Sequence, residues 1–185
     1  MTREEAKKLT LEYFDKACIY LTDEEKENVE IADMGLDRIG EIGIQIHNYL
    51  TTKRCSAKEM VLFPFQICPE QCHPPFGDDP GKEETFRVRW GELYVYTEGA
   101  PTENIKAKIP EDKKDTFHVF HETILQRGEQ YTVDPNVVHW ICGGPEGCVV
   151  SEFASATRDD LDIYSDPEVA RMHGVENIFE KAFQD

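Results

Sequence analysis

His73, Glu84 and His139 carry the strongest chemical signal in this sequence, because two imidazoles and a carboxylate are donors that suit a divalent transition metal and leave coordination positions open. His73 closes the segment Cys68-Pro69-Glu70-Gln71-Cys72-His73, and Gln71, two residues earlier, shares its side if the segment is extended. From Glu84 onward, strand alternation puts Glu84, Phe86, Val88 and Trp90 on one face and Thr85, Arg87 and Arg89 on the other. The arginines belong outside. Glu84 therefore points inward, where a lone carboxylate is costly unless a cation meets it. In Cys148-to-Ala154, Glu152 shares a face with Val150 and Ala154, although both faces there are apolar. His139 opens a strand beside Trp140, after the turn at Pro135-Asn136. For each of these residues another reading stays open, a core histidine hydrogen-bonded to a buried glutamate. A structural zinc site from Cys68, Cys72 and His73 has little support, since no second Cys or His pair matches the usual spacing.

Short strands must position these side chains. Alternating or β-rich stretches run over Gly43-to-Leu50, Lys58-to-Cys68, Thr85-to-Trp90, Glu92-to-Thr97, Thr116-to-Leu125, Glu129-to-Val133, His139-to-Cys142 and Cys148-to-Ala154. Clusters of Gly, Pro, Asp and Asn separate them, the pattern of a closed antiparallel barrel or sandwich. Two loops stand out, Pro74 to Gly81 and the charged arm from Pro101 to Asp115. Ahead of the strands, Thr2 with Glu5 and Thr22 with Glu25 have capping-box spacing and predict two helices packed on the outside. A short helix is expected over Pro167 to Met172. The chain reads as one domain, with a helical extension over 1–40, a barrel over 58–157 and a tail over 158–185.

Twenty Lys and Arg against 37 Asp and Glu give a net charge of −17, which repels phosphate backbones and anionic lipid, so neither nucleic acid nor membrane is expected as a partner. No apolar run approaches the roughly 20 residues of a membrane span, and the acid-bearing N-terminus does not read as an export signal. The six cysteines show no framework spacing and are expected to be reduced thiols of a cytoplasmic protein.

From residue 71 to 139 the chain resembles a cupin. Gln71-Cys72-His73, Glu84 and then Gly91 match the family's first motif, and Gly128, Pro135 and His139 match its second. In detail it is most similar to the D-lyxose isomerase (D-lyxose ketol-isomerase) branch. That likeness is carried by Phe63-Pro64-Phe65-Gln66-Ile67-Cys68-Pro69-Glu70, His73-Pro74-Pro75, the run from Gly77 to Arg87, His139-Trp140, Ser151-Glu152-Phe153 and Arg158-Asp159-Asp160. It covers most of the chain after residue 58.

The resemblance implies an all-β fold, a cupin-type antiparallel β-barrel (jelly roll) with the N-terminal helices outside, and commonly a homodimer. It implies a divalent metal, Mn²⁺ first and Fe, Co, Ni or Zn as alternatives, held by Gln71, His73, Glu84 and His139. Gln71 departs from the family, which has histidine there; an amide oxygen coordinates more weakly than imidazole. Glu152 matches the family's inward glutamate and is the expected base, with the role of partner to a buried Arg or Lys as its alternative. Lys82, two residues before Glu84, would protonate or polarise a substrate oxygen unless it is a solvated loop lysine. Asp162 and Arg171 are weaker candidates for contacts to sugar hydroxyls, and Trp140, Tyr94 and Tyr96 would wall the pocket unless they are core. The implied activity is isomerisation of D-lyxose to D-xylulose and of D-mannose to D-fructose. Gly77-Asp78-Asp79-Pro80-Gly81 would set carboxylates where a phosphate would sit, which favours an unphosphorylated monosaccharide. The alternatives are a cupin phosphosugar isomerase or oxygenase, and a non-catalytic sugar-binding cupin with a weakened metal site.

Overall fold

Alternation in the middle of the chain produces one curled antiparallel sheet, a jelly-roll half-barrel. The computed structural model describes residues 1–170. Among these the order is α1 (Arg3–Lys16), α2 (Asp23–Glu27), β1 (Glu30–Ala32), β2 (Ile44–Thr51), β3 (Cys55–Leu62), β4 (Ile67–Cys72), β5 (Glu84–Thr97), a 3₁₀ turn (Glu111–Thr116), β6 (His121–Leu125), β7 (Gln130–Val133), β8 (His139–Ser155) and β9 (Ile163–Tyr164). Both capping boxes form: each threonine side chain accepts from the backbone N–H three residues on, and each glutamate accepts in return. No helix of the described residues is long and apolar enough to cross a membrane.

The long antiparallel ribbon of β5 and β8 runs through both halves of the sheet. Its β5 residues 84–91 pair with β8 residues 148–154, and that half continues through β3, β2 and β1 on one side and β7 on the other. Residues 93–97 of β5 pair with 139–143 of β8, flanked by β4, β9 and β6. Bulges at Val88/Trp90 and Gly91/Leu93 bend the ribbon between the halves. Gly91 has φ +73°, and a Cβ there would come within 2.1 Å of the Gly147 carbonyl oxygen, so glycine alone fits the bend.

The same bulges correct the simple alternation. Phe86 and Val88 face the interior as expected, whereas Trp90 is turned to the outside and meets the Tyr13 ring edge-on at 5.3 Å. They also merge two expected strands into β5, and two more into β8. The stretch Lys58-to-Cys68 splits instead, because Pro64 lacks an N–H and Phe65 adopts φ +57° in a turn. Of Thr116-to-Leu125 only His121–Leu125 is strand. The backbone N–H groups of His118 and Val119 donate to the buried Glu70 carboxylate rather than to a neighbouring strand. The expected helical extension also contains strand β1, and the sheet reaches back to it through β2. Residues 167–170 are not helical, and the rest of the expected C-terminal helix lies outside the described residues.

Three apolar clusters result. One fills the inside of the sheet with Ile44, Ile46, Met60, Leu62, Phe86, Val88, Val95, Ile141 and Val150. A second lies between α1 and the outer sheet face, through Phe14, Val61, Phe63 and Val149. The third packs the arm of residues 105–120 over Tyr94, Tyr96, Trp140 and Cys142.

Candidate metal centre and catalytic chamber

Three inward positions on separate elements bring His73, Glu84 and His139 together. All three are buried, and their donor atoms lie within 4.8 Å of one another. His139 Nε2 is 2.8 Å from Glu84 Oε1, and His73 Nε2 is 3.3 Å from the same oxygen. His139 Nδ1 is 2.9 Å from the Val137 carbonyl oxygen, which can only accept, so Nδ1 carries the proton. Nε2 of the neutral ring then presents a lone pair, and in this structure that buried nitrogen has no hydrogen-bond partner. A lone pair 2.8 Å from a carboxylate oxygen, without hydrogen-bond geometry, fits two donors meant for a shared cation. His73 is oriented in the same way. Its Nδ1 lies 2.6 Å from Asp162 Oδ1, the carboxylate–histidine arrangement that fixes a metal-binding imidazole. Burial opposes a charge on His73, but Glu84 beside it and the hydrogen bond to Asp162 prevail and raise its pKa to about 9. Surroundings that favour a proton there also favour a dication.

Gln71 lines the chamber with Glu84, Glu152 and Lys82. A register shift between Cys68 and Gln71 gives the two residues the same face, and Gln71 stands across from His139. Lys82 is buried and its Nζ is 2.6 Å from Glu84 Oε2. Burial works against its charge, yet Glu152, Glu84 and Asp162 together raise its pKa, so it is an ammonium and not a solvated loop lysine. Glu84 is likewise held well below the ordinary carboxylate range; Lys82 and His73 overcome the cost of burial.

Glu152 points into the chamber from β8, and a residue that the sequence did not single out faces it. Lys58 on β3 is paired directly across from Glu152, with Nζ 3.2 Å from Oε1. Lys58, Met60 and Leu62 share the inward face, but Glu59 gives the other face of β3 a charge too. Only the pairing with β8 shows that Lys58 is inside.

Asp162 lines a cavity of about 290 Å³ at the chamber mouth, together with His73, Lys82, Phe76, Asp79, Lys53 and Arg158. Arg158 caps the Phe76 ring at 4.7 Å, so the 74–81 loop meets the segment after β8. The chamber inside has only about 20 Å³ of free space, roughly one water. Trp140 does not join this group. It follows His139 and so faces the other way, stacked on Tyr96 at 3.7 Å with its N–H donated to the Val119 carbonyl. Tyr94 and Tyr96 are in the same outer cluster and do not wall the chamber. Arg171 lies outside the described residues.

No family model matches the chain. It is 51% identical over 169 residues to a D-lyxose ketol-isomerase of Thermofilum sp., covering 91% of this chain and 94% of that protein. Identity to a D-lyxose ketol-isomerase of Cohnella laeviribosi is 50%, covering 93% and 94% of the two chains. A D-lyxose/D-mannose isomerase of Thermosediminibacter oceani is 46% identical, with 94% and 96% covered. Among solved structures, the L-ribose isomerase of Cellulomonas parahominis superposes with a TM-score of 0.75 at 14% identity, covering 94% and 95% of the chains. That of Acinetobacter sp. DL28, in complex with L-ribose, gives 0.71 at 15% identity, with 85% and 82% covered. At such identities the likeness is one of fold.

Proposed function

Since the chain belongs to the D-lyxose ketol-isomerase family, we propose that it interconverts D-lyxose with D-xylulose, and D-mannose with D-fructose. The observation that carries this reading is the convergence of His73, Glu84 and His139 in a chamber that also holds Glu152. These residues fit a divalent ion, with Gln71 Oε1 as a weaker fourth donor; manganese suits such a mixed nitrogen and oxygen set. When bound, the ion supplies a Lewis acid beside the carbonyl and the adjacent hydroxyl of the sugar.

The chain's own groups do the rest. An aldose becomes a ketose when a proton leaves C2 and one is delivered to C1, while a hydroxyl proton passes from the C2 oxygen to the C1 oxygen, with an enediol between them. Glu152 takes the C2 proton and, after exchange with solvent, delivers one to C1. Lys82 stays an ammonium and polarises a sugar oxygen. Asp162 keeps the His73 ring turned, and at the mouth it also faces the sugar hydroxyls. The mouth cavity, lined by Phe76, Arg158 and Asp79, is where the open-chain sugar enters. A homodimer in the cytoplasm belongs to the same proposal. Leu50, Ala57 and Phe153 form a cross-strand row on the outer face, with Leu50 and Phe153 exposed, and offer a second copy an apolar surface. The exposed thiols of Cys18 and Cys55 suit a reducing compartment.

The test uses the full-length protein, stripped with a chelator and resupplied with Mn²⁺. D-Lyxose and D-mannose should then yield D-xylulose and D-fructose, and one solvent deuteron should appear in each product. Absence of ketose with Mn²⁺, Fe²⁺, Co²⁺, Ni²⁺ and Zn²⁺ alike would overturn the reading. Turnover without deuterium would overturn a solvent-exchanging Glu152 and leave direct transfer of the hydrogen from C2 to C1.

A further inference from the structure

The chamber contains two carboxylates and two lysines, and the four are sorted. Lys82 Nζ is 2.6 Å from Glu84 Oε2 but 3.8 Å from Glu152 Oε1. Lys58 Nζ is 3.2 Å from Glu152 Oε1, and both of these side chains are 5% exposed. Glu152 Oε1 has no hydrogen bond, although an ammonium stands on either side of it. The contact is therefore one of charge.

We propose that Lys58 is the positioning residue for Glu152: it compensates the carboxylate that would otherwise be stranded in the chamber, and it holds that carboxylate at the angle from which it exchanges protons with the sugar. Register builds the pair. Lys58 and Glu152 are directly opposed on β3 and β8, and a one-residue slip of β3 would turn Lys58 to the outer face and leave Glu152 behind. Lys82 also reaches Glu152, at 3.8 Å, but it is bonded to Glu84 at 2.6 Å, which leaves Lys58 at 3.2 Å as the nearer cation. The pair also makes poor sense as mere scaffolding. A buried ion pair generally stabilises a fold less than apolar residues of the same volume would, and the chamber that Lys58 lines is otherwise largely apolar, with Ile46, Met60 and Phe86 among its walls. With Lys58 beside it, Glu152 is a partner of a buried lysine and a proton-transfer group at once.

This inference rests on the isomerase reading, and its test separates the two. Lys58→Met, Lys58→Arg and the double variant Lys58→Met/Glu152→Gln are made in the full-length protein with Mn²⁺ supplied. Lys58→Met should lower kcat for D-lyxose by about 100-fold, while KM and manganese content stay within about threefold of the parent. Lys58→Arg, which keeps the cation, should recover at least a tenth of the parent kcat. In thermal melts the double variant should be more stable than Lys58→Met alone, because no carboxylate is left unpaired. A fall in KM or manganese content that matches the fall in kcat would overturn the positioning role, as would Lys58→Arg no better than Lys58→Met. If the parent itself forms no ketose, the isomerase reading has failed, and the melts decide by themselves whether Lys58 compensates Glu152: equal stability of the single and double variants overturns it.

Discussion

Residues 58 and 59 are neighbours on one strand, yet they belong to opposite electrostatic worlds. Lys58 faces the chamber, where Glu84 and Glu152 each have a lysine beside them. Glu59 faces outward into a row with His47 and Ser151, covered but short of counter-charge. Its Oε1 accepts from the Ser151 hydroxyl at 2.7 Å and its Oε2 has no hydrogen bond. Burial pushes the Glu59 pKa up against the pull of Ser151 and Arg89, and it pushes the His47 pKa down against Glu25. Both outer groups are driven toward neutrality, whereas Lys82 and Glu84 inside are held in their charged forms. A fold tolerates either solution, but only the inner one keeps charged groups ready to meet a cation and an ionising sugar.

The comparison breaks most visibly if the inner set is depleted. Glu84→Gln and His139→Ala should each lower kcat/KM by at least about 1,000-fold, some 4 kcal/mol of transition-state stabilisation, with loss of bound manganese. Near-normal turnover in either variant would remove that residue from the ligand set. Asp162→Asn leaves the three donors in place but weakens the hold on the His73 ring, so manganese affinity should fall 10- to 100-fold, read by titration of the stripped protein. Gln71→His should move affinity the other way, by about tenfold; an unchanged titration would place Gln71 outside the coordination sphere.

The smallest effect belongs to the outer row. A carboxyl whose folded pKa is raised favours the fold while it is protonated and loses that contribution as pH climbs from the unfolded value, near 4.5, through the raised one. Glu59→Gln removes the ionisation, so the variant should gain on the parent over that interval. At neutral pH it should be more stable by up to about 1 kcal/mol, with turnover unchanged. A variant that instead loses stability as pH rises would show that Glu59 is paired after all.

Alternation made the inward side chain of Glu84 legible, since arginines marked the outer face of its strand, but at Glu152 both faces read as apolar and only the structure shows Phe153 on the outside, 52% exposed. Alternation failed at Trp90, where the bulge after Val88 reverses the faces, because an extra residue leaves no mark in a hydrophobic pattern. Trp140 was legible by the same rule that placed His139, and the expectation of a pocket wall there went against it. Lys58 was hidden for a different reason. A lysine in a strand with mixed faces is most simply read as solvated, and its inward direction depends on a partner almost a hundred positions away.

The β5–β8 ribbon carries Glu84, His139 and Glu152 on one continuous, doubly hydrogen-bonded frame, while the cavity through which a sugar arrives is bounded by the 74–81 loop and residues 156–162. The mouth and the chamber meet at His73, Lys82 and Asp162, which line the cavity from its inner side. In the proposed isomerase, changes at Phe76, Asp79 or Arg158 would retune which sugar is admitted, whereas Asp162, which lines the same mouth and holds the His73 ring, ties that choice to the metal site.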